Sequence, residues 1–353
     1  MRVDLAAPVL ELTRQLCDVP SVSGTEGALV DAIEQALLPL SHLTLTRVGD
    51  AIVARTQLGR ARRVVIAGHV DTVPIHDNLP TRVEDGELWG RGTVDMKGGC
   101  AMLLRLAAAL TDPVHDVTWV LYDNEEVDSD RNGLGRIARD RPELLAADFA
   151  VLCEPTDAEV EGGCNGTLRV DVVLEGRRAH SARSWMGENA IHAAAPVLQR
   201  LVDAVPEEVE VDGLVYREGL NAVAIDGGVA GNVIPDRCVV QVNYRFAPSR
   251  TASQAVDRML ELFDGFEVQI ADAADGARPG LDQPLAQDFL RAVGAVAKPK
   301  YGWTDVARFS TLGIPAVNYG PGDPSLAHAD DERVPVEQLE RCEAGLRAWL
   351  TAS

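Results

Sequence analysis

Val64-Val65-Ile66-Ala67-Gly68-His69-Val70-Asp71 decides how this chain reads: a β-branched run suited to a buried strand ends at once on a glycine and two polar side chains. The arrangement recurs twice. Val117-Thr118-Trp119-Val120-Leu121-Tyr122 runs into Asp123-Asn124-Glu125-Glu126, and Phe149-Ala150-Val151-Leu152 runs into Cys153-Glu154-Pro155. Between the first two runs lies an Ala- and Leu-rich helix over 99–110, and a helical segment near 133–139 precedes the third. Upstream, 5–17 and 26–40 carry apolar residues at helical spacing, with Ser23-Gly24-Thr25-Glu26 as the turn and cap between them. Strands alternating with helices predict an α/β layer around a mostly parallel sheet. In such a sheet the carboxyl ends of the strands line the ligand crevice, so the three polar groups can converge.

The pattern changes after Gly166. Residues 168–174 alternate in strand fashion, a helix follows over about 189–205, strands over 220–227 and 237–246, a helix over about 251–263 and a strand over 266–270. That order, β-α-β-β-α-β, predicts a ferredoxin-like α+β domain. The Pro-, Gly- and Asp-rich stretch 274–280 reads as a linker, after which a helix at 284–296 and a strand at 314–319 resume the first pattern. The expected organisation is a first domain of residues 1–167 and 279–353 with a second, 168–278, inserted into it.

Composition narrows the partners. The chain of 353 residues carries 33 basic against 54 acidic side chains, a formal charge of −21, so a nucleic acid or anionic membrane would be repelled. No stretch approaches the roughly 20 apolar residues that span a bilayer, and an acid at Asp4 stands where a secretory signal would begin its apolar run. Cys17, Cys100, Cys153, Cys164, Cys238 and Cys342 are scattered without a CxxC pair, the pattern of reduced thiols. A cytoplasmic protein is expected.

Two further groups extend the polar set. Gly90-Arg91-Gly92-Thr93-Val94-Asp95-Met96-Lys97-Gly98-Gly99 puts an acid in a glycine-rich loop just before a helix, and His328 follows Tyr319-Gly320-Pro321-Gly322 beyond a predicted strand. Imidazoles and carboxylates without thiolate suit zinc in a catalytic rather than a closed structural site. In His69-x-Asp71 the acid can accept the second ring N–H and orient the imidazole. The adjacent Glu125 and Glu126 allow one to bind metal while the other handles protons.

Gly68-His69-Val70-Asp71-Thr72-Val73-Pro74, the 90–99 loop, Glu125-Glu126, Cys153-Glu154-Pro155 and His328 together resemble the zinc aminoacylase/carboxypeptidase family of two-zinc amidohydrolases, over nearly the whole chain. The resemblance implies two zinc ions per chain, with cobalt(II) able to replace them. Asp95 would bridge the pair, His69 and Glu154 would complete one ion, and Glu126 and His328 the other. It makes Glu125 the general base acting on a zinc-activated water, Asp71 the partner of His69, and the peptide after Asp95 cis. It also makes the insert a lid and homodimerisation domain, with His180 polarising the scissile carbonyl in the partner subunit. Asn232 in Gly231-Asn232-Val233-Ile234-Pro235, Arg245 in Asn243-Tyr244-Arg245-Phe246, and Thr304 would bind substrate, the guanidinium gripping a carboxylate.

Within the family, 302–309, 318–328 and Arg131-Asn132-Gly133-Leu134-Gly135 resemble the actinobacterial succinyl-diaminopimelate desuccinylases. The implied reaction releases succinate and LL-2,6-diaminopimelate for lysine and diaminopimelate biosynthesis. Where proteobacterial members have an Arg pair this chain has Cys164-Asn165, leaving Arg178, Arg183 and Arg308 to supply the charge. The competing readings are N-acetylornithine deacetylation, dipeptide cleavage, and a non-catalytic zinc-binding relative. His42, His76, His115 and His192 read as surface or structural.

Overall fold

A computed structural model describes residues 3–352. The chain forms two compact units: Met1–Gly162 with Pro279–Lys298 and Arg308–Ser353, and Gly163–Arg278 with Pro299–Ala307. The stretch Pro299–Ala307, which the sequence division leaves in the first domain, groups with the second unit.

The three apolar runs become the strands Arg63–His69, Asp116–Tyr122 and Phe149–Leu152, buried almost throughout. They are apolar on both faces, the pattern of parallel strands buried on both sides. Arg63–His69 lies between the other two, parallel to each, and Ala316–Asn318 adds a fourth parallel strand beside Phe149–Leu152. The full eight-stranded sheet runs Thr44–Val48, Ala51–Arg55, Asp116–Tyr122, Arg63–His69, Phe149–Leu152, Ala316–Asn318, Val160–Gly162, Ala297–Pro299. The antiparallel pair at 44–55, joined through Gly49-Asp50, is absent from the sequence reading, as is the closing helix Val336–Thr351.

Helix Lys97–Ala109 is buried along most of its length and packs on Arg63–His69. Its start lies so close to the end of Phe149–Leu152 that a Cβ on Gly99 would come within 2.2 Å of the Cys153 carbonyl oxygen. Only glycine allows that approach, which brings the Asp95 loop up to the strand ends. The cap expected at 23–26 is not formed. Glu26 stands at the N-cap of Gly27–Leu37 without a side-chain cap bond, because its carboxylate instead accepts the backbone N–H groups of Gly24 and Asn124.

The second unit holds a four-stranded antiparallel sheet ordered Gly219–Gly227, Arg237–Phe246, Gly166–Glu175, Glu267–Ala274. This is the ferredoxin-like order for the predicted element sequence. Along Arg237–Phe246 alternate residues Cys238, Val240, Val242, Tyr244 and Phe246 are buried, clustering with Val197 of helix Ala195–Asp203 and with Ala255 and Met259 of helix Ala252–Leu262. The latter helix starts with a capping box between Thr251 and Gln254. An additional hairpin, Glu208–Val211 with Leu214–Arg217, is missing from the sequence reading.

Candidate metal centre

His69 ends its strand opposite Tyr122, and Glu125 and Glu126 follow three and four residues later. Asn124 turns the chain between them in the left-handed region, φ 56°, which asparagine tolerates. Its side chain accepts from Arg131 Nη2 at 2.9 Å and donates to Asp123 at 2.7 Å, while Glu26 accepts its backbone N–H at 3.1 Å. Parallel pairing sets Ala67 opposite Leu152, so continuing that register carries the buried Glu154 across from His69.

Asp95 sits at the middle of the group. Its Oδ1 lies 3.0 Å from His69 Nε2 and its Oδ2 3.3 Å from His328 Nε2, and His328 Nε2 is also 2.9 Å from Glu126 Oε1. Ligand atoms of His69, Asp95 and Glu126 lie within 4.8 Å of one another. A carboxylate whose two oxygens face two different imidazoles has the disposition of a bridging ligand. The donors are nitrogen and oxygen only, which fits zinc in a reactive site. The Asp95–Met96 peptide is cis.

Asp71 organises the other side of His69. His69 Nδ1 is 3.1 Å from the Asp71 carbonyl oxygen and 3.4 Å from its Oδ1. The same carboxylate accepts Ser23 Oγ–H at 2.7 Å and the backbone N–H groups of Glu125 at 3.0 Å and Glu126 at 3.1 Å. One acid thus orients the imidazole and the adjacent glutamates together. Ser23 is a residue the sequence reading used only as a turn; its serine would have been noticed only by knowing that Asp71 folds against it.

The electrostatics are those of strong donors. Burial disfavours the charged forms of His69, Asp71 and Asp95, but mutual hydrogen bonding outweighs it. The His69 pKa is raised well above its ordinary value, by Asp71 and Asp95. Asp71 is held below the usual carboxylate range by His69, the Glu125 amide and Ser23, and Asp95 is held lower still by His328 and His69. Hydrogen bonds to Asp95 and Glu126 push His328 up to about 10. Carboxylate partners that make an imidazole more basic also make it a better metal ligand.

The remaining predicted residues belong to the second unit. His180 is exposed on the short strand Ala179–His180, paired with Val233–Ile234, and its Nδ1 accepts the Ala182 N–H at 3.1 Å. With Nδ1 accepting, Nε2 is the ring nitrogen left to donate. Asn232 lies in the adjoining loop, its carbonyl accepting the Ser181 N–H at 2.9 Å. Arg245 is near the far end of Arg237–Phe246, opposite Thr167, and Thr304 is buried beside Cys164 at that same end. The Arg237 and Arg245 positions are about 26 Å apart at strand rise. His180 and Asn232 are therefore brought together, Arg245 and Thr304 are brought together, and the two pairs are separated. Arg245 Nε donates to Asn243 Oδ1 at 3.1 Å, and no carboxylate among the described residues forms an ion pair with its guanidinium. Burial lowers its pKa. Of the four histidines read as structural, His42 bonds the Ala107 carbonyl at 2.9 Å and His115 packs on Trp349.

The strand ends of this sheet gather a His/Asp/Glu group able to hold a metal ion, and the chain belongs to peptidase family M20/M25/M40, a family of metal-dependent hydrolases, which residues 65–352 match. It is 48% identical over 360 residues to succinyl-diaminopimelate desuccinylase of Corynebacterium glutamicum, covering 99% of this chain and 98% of that one. A provisionally named succinyl-diaminopimelate desuccinylase of Mycobacterium tuberculosis is 53% identical over 351 residues, 99% of each chain. Among solved structures, a Staphylococcus aureus tripeptidase superposes with a TM-score of 0.82 at 20% identity, covering 99% of this chain and 98% of that one, a likeness of fold.

Proposed function

We propose that this chain hydrolyses the amide bond of N-succinyl-LL-2,6-diaminopimelate to succinate and LL-2,6-diaminopimelate, a step of lysine and diaminopimelate biosynthesis. The observation that carries the assignment is the full-length identity of 48% to the Corynebacterium glutamicum desuccinylase. Asp95 would bridge two zinc ions, with His69 and Glu154 completing one and Glu126 and His328 the other. A bound zinc pair supplies Lewis acidity and a hydrolytic nucleophile at neutral pH. Glu125, its backbone fixed by Asp71, takes the proton of the attacking water and returns it to the departing amine. Arg245 pairs with a substrate carboxylate, a role supported by its half-buried guanidinium without an ion-pair partner among the described residues.

The acting form is a homodimer through the second unit. The edge strand Gly219–Gly227 exposes Val223 and Ile225, and the neighbouring helix Ala195–Asp203 exposes Leu198 and Val202, an apolar face that a partner would cover. The separation of His180 and Asn232 from Arg245 supports the same reading. One copy of this unit cannot present both groups to a single small substrate, whereas two copies can. His180 Nε2–H then polarises the scissile carbonyl in the partner. The setting is cytoplasmic, consistent with six buried free cysteines and with no helix among the described residues long and apolar enough to cross a membrane.

Steady-state kinetics on N-succinyl-diaminopimelate and its N-acetyl analogue test the substrate. A pocket cation built for the succinyl carboxylate is left unpaired by acetyl, so kcat/KM should drop at least ~10³-fold. Comparable turnover of N-acetylornithine would remove the desuccinylase assignment and leave the metallohydrolase.

A further inference from the structure

Arg91 and Glu332 form an ion pair at 2.8 Å, both almost fully buried in the first unit, and none of the chemistry above uses either. Glu332 Oε1 accepts the backbone N–H of Val94 at 2.9 Å and of Asp95 at 3.2 Å, while Oε2 faces Arg91 Nη1. The rest of the guanidinium reaches two carbonyl oxygens: Pro74 from Nε at 3.2 Å and His328 from Nη2 at 3.4 Å. One planar fork therefore joins the loop after Arg63–His69, the Asp95 loop through Glu332, and the backbone of His328. His328 has φ 66°, an uncommon conformation for a residue with a Cβ, and the Arg91 bond holds its carbonyl on one side of that turn while its ring meets Asp95 and Glu126.

A buried ion pair adds little stability that an apolar pair of equal volume would not, because desolvation offsets the Coulomb attraction. An apolar pair could not aim hydrogen bonds at the amide of Asp95 and the carbonyl of His328. We propose that Arg91 and Glu332 are positioning residues for the zinc pair, setting the directions from which Asp95 and His328 present their ligand atoms; this rests on the two-zinc reading above.

The test titrates zinc into metal-free wild type, Arg91→Lys, Glu332→Gln and the core variant Leu346→Ala against a chromophoric chelator, with thermal melting of each metal-free protein alongside. Lysine keeps the charge facing Glu332 but cannot reproduce the planar fork. Binding of at least one zinc should weaken about 10–100-fold in Arg91→Lys and Glu332→Gln. Leu346→Ala, which opens the fully buried core, should lower the melting temperature and leave zinc affinity in place. Wild-type affinity for both ions in Arg91→Lys overturns the proposal, and so does an equal loss in Leu346→Ala, which would make the effect one of general stability. Should Glu332→Gln fail to fold, Arg91→Lys decides alone. A wild type that binds no zinc pair overturns the two-zinc reading itself.

Discussion

In the first unit His69, Asp95, Glu126 and His328 touch one another although they come from four separate stretches of chain. In the second unit Asn232 lies in the loop before the short strand Val233–Ile234, while Arg245, only 13 positions on, is near the far end of strand Arg237–Phe246. The first arrangement depends on buried parallel strands that stop at a common edge, with every donor braced by a hydrogen bond. The second depends on an antiparallel sheet, where neighbouring sequence is carried away at about 3.4 Å per residue. A single copy of the first unit brings its metal group together, whereas a single copy of the second keeps His180 and Asn232 apart from Arg245.

The largest effect should come from the first unit alone. Glu125→Gln should retain wild-type zinc content while kcat falls roughly 10²–10⁴-fold; metal analysis beside steady-state kinetics checks both halves. A near-normal kcat would take the base role away from Glu125 and break the picture of a self-contained centre. Asp71→Asn sharpens it, because this acid holds His69 and the amides of Glu125 and Glu126 at once. Losing the carboxylate should cost about 10–100-fold in metal affinity or kcat/KM, and an unchanged value of both would reduce Asp71 to a structural group.

The smallest effect probes the second unit. His180→Ala and Glu125→Gln chains, each nearly inactive, are mixed under conditions of verified subunit exchange. Half the dimers are then mixed and one of their two sites regains both groups, so activity should return to about a quarter of wild type. No return would mean that His180 serves its own chain or lies outside catalysis, and the contrast between the units would lose its functional meaning.

Much of this is legible in the sequence alone. Runs such as Val64–Ala67 and Val117–Tyr122 announce buried strands because β-branched residues on both faces have few other uses, and polar residues at their ends announce the crevice. The alternation in 237–246 likewise appears as a half-buried strand packed on helices. The hairpin at 208–217 escaped because its strands are short and mostly exposed, so little apolar periodicity marks them.

What the sequence by itself determined, then, is the order of the elements and the types of side chain at the strand ends, since local periodicity and turn chemistry are short-range properties. The tertiary structure alone decided that Asp95 turns one oxygen to each imidazole, that Ser23 completes the Asp71 cluster, and that Arg91 and Glu332 meet across the chain. It also decided that Asn232 and Arg245 are kept apart. Those relations depend on register and on packing between segments distant in sequence, where the energy of a contact exists only once both partners are folded.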